Sequence, residues 1–237
     1  MTQTLSDLRV LMAAPKVSID LMLDKTADND PFFRKVVLKH YHEVSRRHPR
    51  YLIVPRAKYG VALHVLPETY EAYLKAIAKT ARQNINKAIR SGYHVQRINY
   101  NEHLADVAEI NRSTEFRQGP MSPEFLVHDP QPIPDPPSRT NIHDHVYYGV
   151  MKSGKLYAYS SALISGEGMI MTIIFGHAAY LTDGIVPLLL SGMAADAYDR
   201  FPRVKYFVYD MYFGGSEGFR RFKRKFRFEP HTVTWKL

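Results

Sequence analysis

Tyr209-Asp210-Met211-Tyr212-Phe213-Gly214-Gly215-Ser216-Glu217-Gly218-Phe219-Arg220-Arg221-Phe222-Lys223-Arg224-Lys225-Phe226-Arg227-Phe228-Glu229-Pro230 is the stretch on which the fold turns. An aromatic run ends in a carboxylate, glycines make a turn, and a basic segment follows. Phe219, Phe222 and Phe226 stand at i, i+3 and i+7, the spacing of one helix face. The stretch therefore predicts a strand, a glycine turn and a short basic helix. The i+4 member of that face is Lys223. An ammonium inside an aromatic stripe must reach water or hold a partner, because burying it unpaired is costly. Lys223 is thereby a candidate functional residue, with a salt bridge to Asp210 or Glu217 as its structural alternative.

Upstream, residues 184–201 predict a helix with Pro187 in its first turn, where proline is tolerated. Before it, Val146–Val150, Leu156–Ile164 and Met169–His177 are β-rich runs. The short glycine-bearing joints Lys152-Ser153-Gly154-Lys155 and Ser165-Gly166-Glu167-Gly168 connect them, which predicts an antiparallel meander. Seven of the fifteen prolines fall between Pro120 and Pro137. That density excludes a helix or a central strand and predicts a long loop, either a lid or a surface excursion. Residues 101–117 predict a helix and 93–99 a strand. From Pro67, the residues Tyr70, Leu74, Ile77, Ala81, Ile85 and Ile89 mark one face of a single long helix that ends at Gly92, a C-cap glycine. Residues 51–54 and 61–66 are β-like, and 33–47 predict a helix. His40 and His42, two apart on that helix, point to different faces and predict surface histidines.

The chain has 237 residues, 45% of them hydrophobic and 23% charged, enough for a sizeable core. The absence of cysteine excludes disulfides, thiolate metal sites and a cysteine nucleophile. No apolar run is long enough to span a bilayer, and Met1 to Lys16 does not have the pattern of a signal peptide, so a cytoplasmic protein is expected. His143 and His145 would point the same way on a strand, but no third ligand stands at a readable spacing and no metal is expected. The formal net charge is +9, and six of the nine residues from Phe219 to Arg227 are basic; without those six it would be +3. Such a local patch is either a solvated helix face or a seat for phosphate, on a cofactor or an RNA backbone.

The order strand, helix, three-stranded meander, helix, strand, helix, strand, over roughly residues 80–237, resembles the GNAT (general control-related N-acetyltransferase) fold. Asp210, Gly214-Gly215, Gly218-Phe219, Phe222-Lys223 and Phe226 resemble the closing motif of the Fem-type peptidoglycan-bridge transferases and the exopolysaccharide-biosynthesis acetyltransferases. Arg82, Lys87, Ala88 and Gly92 resemble the basic helix that opens their catalytic domain. Two departures stand out. Arg227 occupies the position of the family's glycine after the last Phe. His177-Ala178-Ala179-Tyr180-Leu181-Thr182-Asp183-Gly184 replaces the glycine-rich loop that cradles pyrophosphate in acetyl-CoA-dependent members.

The resemblance implies an α/β (α+β) fold, a GNAT-like, mixed but mostly antiparallel twisted sheet flanked by helices. It divides the chain into a GNAT-like acyltransferase domain over 81–237 and an N-terminal segment, 1–80, of short helices and a β-hairpin, at most a fragment of a first acyltransferase-like unit. It implies an N-acyltransferase that moves an acyl group from an acyl-CoA-like thioester to an amine acceptor. An aminoacyl-tRNA donor and a non-catalytic RNA-binding module on the same scaffold are the alternatives. The donor is then a co-substrate and no cofactor is permanently bound.

Asp210, at the end of its strand, is the candidate for taking or orienting the amine's proton, or else bonds the turn amides of Gly214 and Gly215. Lys223 would balance a leaving thiolate, a phosphate or a tRNA end. Gly184 and Ile185, at a helix start, with Lys223 and Arg224, are candidates for the donor's anionic part. Tyr148, Tyr157, Tyr159 and Ser161 are candidates for the acceptor groove. By strand alternation Tyr157, Tyr159 and Ser161 should share one face.

Overall fold

The computed structural model describes residues 9–25, 30–47, 55–117, 119–213 and 216–237. Among these described residues eight strands are formed: β1 (Lys16–Asp20), β2 (Tyr59–Val65), β3 (His94–Arg97), β4 (His143–Lys152), β5 (Lys155–Ser165), β6 (Gly168–Gly176), β7 (Tyr206–Met211) and β8 (Glu229–Lys236). They build one sheet in the order β1-β8-β2-β7-β6-β5-β4-β3. The pairs β6–β7 and β1–β8 are parallel, and the other five are antiparallel. The expected meander is β4-β5-β6.

Helices cover both faces. One side carries α2 (Tyr70–Ala76), α3 (Lys79–Arg90), α6 (Ile185–Arg200) and α7 (Glu217–Lys225). Their apolar faces share a core with Tyr148, Ala158, Ala162, Met169, Phe207 and Phe228. The other side carries α1 (Pro31–Ser45) over β1, β8, β2 and β7, and α4 (Leu104–Arg112) over β4 and β5. A five-residue helix, α5 (Pro123–Val127), interrupts the proline-rich loop; Pro123 occupies its first turn, the one helical position where proline is favoured.

Three departures have local causes. The single helix expected from 67 to 92 is two helices, because Ile77 and Ala78 are extended, at ψ 155° and 146°. The break is held from outside: the Ala78 amide donates to the Lys225 carbonyl at 2.8 Å. Arg82 Nη1 donates to the carbonyls of Leu74, Lys75 and Ile77, which the end of α2 leaves unpaired. Ile89, expected on the buried face, is 54% exposed. Gly92 does close α3, at φ +84° with its amide on the Ile89 carbonyl.

The second departure is β2. Residues 51–54, its expected hairpin partner, lie outside the described residues. β2 pairs with β7 and β8 and lies between them. Residues 16–65 therefore supply two strands of the common sheet, and a boundary at residue 80 falls within it. The third departure is the helix expected over 101–117, which is a 3-10 turn, Tyr100–His103, followed by α4, ending at Arg112.

Candidate active-site cleft between the splayed parallel strands

β6 and β7 pair for three residues only: Gly168 with Tyr206, Met169 with Phe207 and Ile170 with Val208. β6 then runs on to Gly176 and β7 to Met211 without further pairing. The separation coincides with two bulges. On β6, Thr172 is an extra residue against β5, since Ser161 opposes Ile173 and Ala162 opposes Met171. On β7, one extra residue falls between Val208 and Met211 against β2. A bulge bends its strand and leaves one residue out of the ladder, which lets parallel neighbours diverge. The helices of the α1/α4 side leave this region uncovered. The result is a cleft of about 590 Å³ between α1, the start of the proline-rich segment and the diverging strands. Thr172 is exposed in it although it belongs to an interior strand.

Asp210 lines this cleft and is exposed. It sits in the bulge at φ +49°, the left-handed region, which Asp tolerates better than most side chains. Gly214 and Gly215 lie outside the described residues, and with them the turn that the sequence offers as Asp210's other partner.

Lys223 is fully buried, 0% exposed. Its Nζ donates to the Met211 carbonyl at 2.5 Å and lies 4.3 Å from the Phe219 ring centroid and 5.0 Å from that of Tyr209. Burial lowers its pKa to about 8, and the Asp210 charge opposes that shift. Neither expected salt bridge forms: Glu217 instead accepts from Arg224 at 2.6 Å and lies 3.6 Å from Arg220. Lys223 does not line the cleft; it grips the far side of β7, one residue past Asp210. Arg224 is exposed, held by Glu217, and outside the cleft lining.

Gly184 and Ile185 are buried at the start of α6. A Cβ on Gly184 would lie 2.2 Å from the Asn84 carbonyl oxygen, so α3 packs directly on this turn. Residues Ala178–Asp183 form a 3-10 turn in which the Ala178 amide donates to Ser113 Oγ, that of Ala179 to His177 Nδ1 and that of Tyr180 to the His177 carbonyl, while the Gly184 amide donates to the Leu181 carbonyl. Asp183 already places a carboxylate there, bonded by Tyr93 and 3.7 Å from Lys87. The turn is closed in place of the open amide cradle of a pyrophosphate loop.

The four expected acceptor residues separate. β5 has its own bulge at Tyr157, where Val150 opposes Ala158 and Met151 opposes Leu156. The extra residue flips the alternation, so Tyr157 packs with Tyr93 and Tyr180 on the α6 side. Tyr159 points to the opposite face and donates to Asn111 at 2.7 Å. Tyr148 is buried against α6, donating to Asp196 at 2.8 Å beside Arg97. Ser161 alone approaches the cleft, through a hydrogen bond between its hydroxyl and that of Thr172. No cluster of metal-ligating side chains occurs among the described residues. His143 is buried with Nε2 on the Leu21 carbonyl at 2.6 Å.

Sequence reasoning missed four cleft residues: His40, Arg117, Thr172 and Trp235. His40 is half-buried rather than a free surface residue. Burial lowers its pKa to about 4 and its ring packs edge-on against Trp235 at 5.4 Å. Arg117, past the end of α4, donates to the carbonyls of Gly176 and Ile110 at 2.7 and 2.6 Å and lies over the Phe175 ring at 4.7 Å. Only its spacing from the proline-rich loop could have drawn notice.

No protein-family profile matches the sequence, and no curated protein matches it. Solved structures do. The crystal structure of FemX aligns at a TM-score of 0.57 over 84% of this chain and 66% of its own, with 7% identity. The C-terminal domain (DUF2156) of a putative lysylphosphatidylglycerol synthetase from Agrobacterium fabrum aligns at 0.45, with 15% identity, over 72% of this chain and 57% of its own. A GCN5-related N-acetyltransferase from Kribbella flavida aligns at 0.36, with 13% identity, over 60% and 47%. The chain has a GNAT-like fold of the Fem type. It spans between 47% and 66% of the length of these structures. No helix among the described residues is long and apolar enough to cross a membrane.

Proposed function

We propose that the chain is an N-acyltransferase that forms an amide in the β6–β7 cleft. One observation carries this reading: two central parallel strands part after Ile170 and Val208, and the space between them holds an exposed carboxylate, Asp210, against a mainly apolar wall. Such a site suits an amine that must be neutral to attack an acyl carbonyl. The amine nitrogen bonds to the carbonyl carbon, Asp210 takes or orients the amine's proton, and the donor's leaving oxygen or sulfur departs with a proton. Thr172, freed from the ladder by its bulge and held by Ser161, is placed to support the acceptor. Lys223 is a positioning residue: its ammonium fixes the Met211 carbonyl and so the end of β7 that presents Asp210.

For the donor, an aminoacyl-tRNA is favoured over acyl-CoA by the closed turn before α6. The amides of Ala178, Ala179, Tyr180 and Gly184 already have partners, and the Asp183 carboxylate beside them opposes a second anion. The exposed Arg221, Arg224 and Arg227 of the last helix region suit an RNA backbone. The test is product formation with a panel of acyl-CoA thioesters and, separately, with charged tRNA, each with and without ribonuclease. Activity that ribonuclease abolishes supports the tRNA donor; activity with acyl-CoA alone replaces it. Amide formation unchanged by Asp210→Asn removes the site assignment.

A further inference from the structure

Among the described residues, Arg117 is a cation without a carboxylate partner. It lines the cleft, and its partners among the described residues are the Gly176 and Ile110 carbonyls, a long 3.4 Å contact to Ser113 Oγ and the face of Phe175. Its Nε is buried with no partner. A guanidinium drawn out of water without a counter-ion is costly, and an anion entering the cleft would offset that cost. Asp210, of opposite charge, stands at another part of the same wall.

Their separation follows from the strands. Ile170 and Val208 are opposite each other; Asp210 is two residues further on β7, and Gly176, which Arg117 holds, is six further on β6. Allowing for the bulge on each strand, the offset is three to four residues, on the order of 10 Å at the usual rise per residue. The lining between the two charges is mostly apolar, including Met121, Ile173 and Phe175.

We infer that Arg117 is the anion-recognising, specificity-determining residue of the cleft, and that the acceptor carries an amine and an anionic group, carboxylate or phosphate, about 10 Å apart along the strands. The inference rests on the proposed reading for the amine's role, but its test reads binding and needs no turnover. Trp235 is the chain's single tryptophan and lines the cleft, so its fluorescence reports occupancy.

The probes are 8-aminooctanoate, whose charged ends span on the order of 10 Å when extended, octylamine, which lacks the carboxylate, and pyrophosphate. Each is titrated into wild type, Arg117→Gln, Arg117→Lys and Asp210→Asn. The expected result is a saturable Trp235 response to 8-aminooctanoate that is at least about tenfold weaker for octylamine and for Arg117→Gln, and within a few-fold of wild type for Arg117→Lys. Asp210→Asn weakens both amines alike. An Arg117-dependent response to pyrophosphate alone would name phosphate as the anion. Equal responses to 8-aminooctanoate and octylamine in wild type, with no response to pyrophosphate, overturn the inference, as does an anion response that Arg117→Gln leaves unchanged. The wild-type comparison stands even where Arg117→Gln does not fold. A positive binding result with no amide formation would retain the anion site and remove the acyltransfer reading.

Discussion

At Asp210 the backbone and the carboxylate make separate demands, so substitutions can part them. The left-handed φ of +49° disfavours a Cβ by about 1–2 kcal/mol, less for Asp or Asn than for other side chains. Asp210→Gly should therefore stabilise the fold by up to about 1 kcal/mol in urea unfolding, Asp210→Ala should lower stability by a similar amount, and Asp210→Asn should leave it unchanged. All three should lose about 10²-fold or more in amide formation, since a general base contributes that much. Buried bases give a second, pH-resolved signature. His40 and His64 have their pKa lowered from 6.5 to about 4, chiefly by burial, and Lys223 from 10.5 to about 8. Each lowered value means that the unfolded state binds the proton first as pH falls. Stability measured by urea unfolding should thus fall from pH 6.5 toward 4, and fall again from 10.5 toward 8, with a slope of at most about 1.4 kcal/mol per pH unit for each group. Lys223→Met should flatten the upper window, and His64→Phe should reduce the slope of the lower one, to which His143 and His145 also contribute because burial lowers their pKa values. The burial of Lys223 was legible, because it breaks an aromatic stripe at helical spacing. The burial of His40 was not: what surrounds it, Trp235, comes from the opposite end of the sequence.

At the scale of elements, the part of the sequence that read true is the part built from local spacing. The meander, its glycine joints, the helix from Ile185 and the basic helix from Glu217 all follow from periodicity and turn chemistry. The misreadings occur where a distant group decides. Ile77 and Ala78 are unremarkable in a helix, and nothing nearby announces the break between α2 and α3. The break exists because Lys225 accepts from Ala78 and because Arg82 folds back onto three carbonyls. Removing that guanidinium leaves a helix end without its cap. Arg82→Met should destabilise the fold by about 2 kcal/mol in urea unfolding, and Arg82→Lys, with no planar fork, should recover only part of that. A loss of less than about 0.5 kcal/mol for Arg82→Met, the range of an ordinary surface change, would mean that packing alone holds the break. Bulges are the other blind spot. One extra residue at Tyr157 sends Tyr157 and Tyr159 to opposite faces, and the pattern of tyrosines gives no sign of it.

For the whole molecule, the decisive feature is that the sheet is threaded by the N-terminal part of the chain. Lone β-like runs such as residues 59–65 carry no address, and strand partners far apart in sequence are not written in either strand. Yet β2 bonds β7 on one edge and β8 on the other, while β1 continues the sheet beyond β8. The strand that carries Asp210 thus has β2 as its only full-length neighbour past Val208, because β6 has already turned away. The cleft depends on the same segment, since His40, Val44, Ala57 and Val61 form one of its walls. A fragment of residues 81–237 keeps every element of the resemblance but loses β1, α1 and β2, leaving β7 and β8 with no strand between them and the Val208 face uncovered. Unpaired interior edges and an uncovered apolar face favour aggregation over folding. The fragment should lack a cooperative thermal transition, should bind a dye for exposed apolar surface and should leave Trp235 solvent-exposed by its emission wavelength. Co-expression with residues 1–80 as a separate chain should restore the emission of the full chain, because the missing strands are recognised through the edges of β7 and β8. A fragment that melts cooperatively on its own, with the Trp235 emission of the full chain, would mean that the 81–237 core is complete without β2 and that the N-terminal segment is an addition to it.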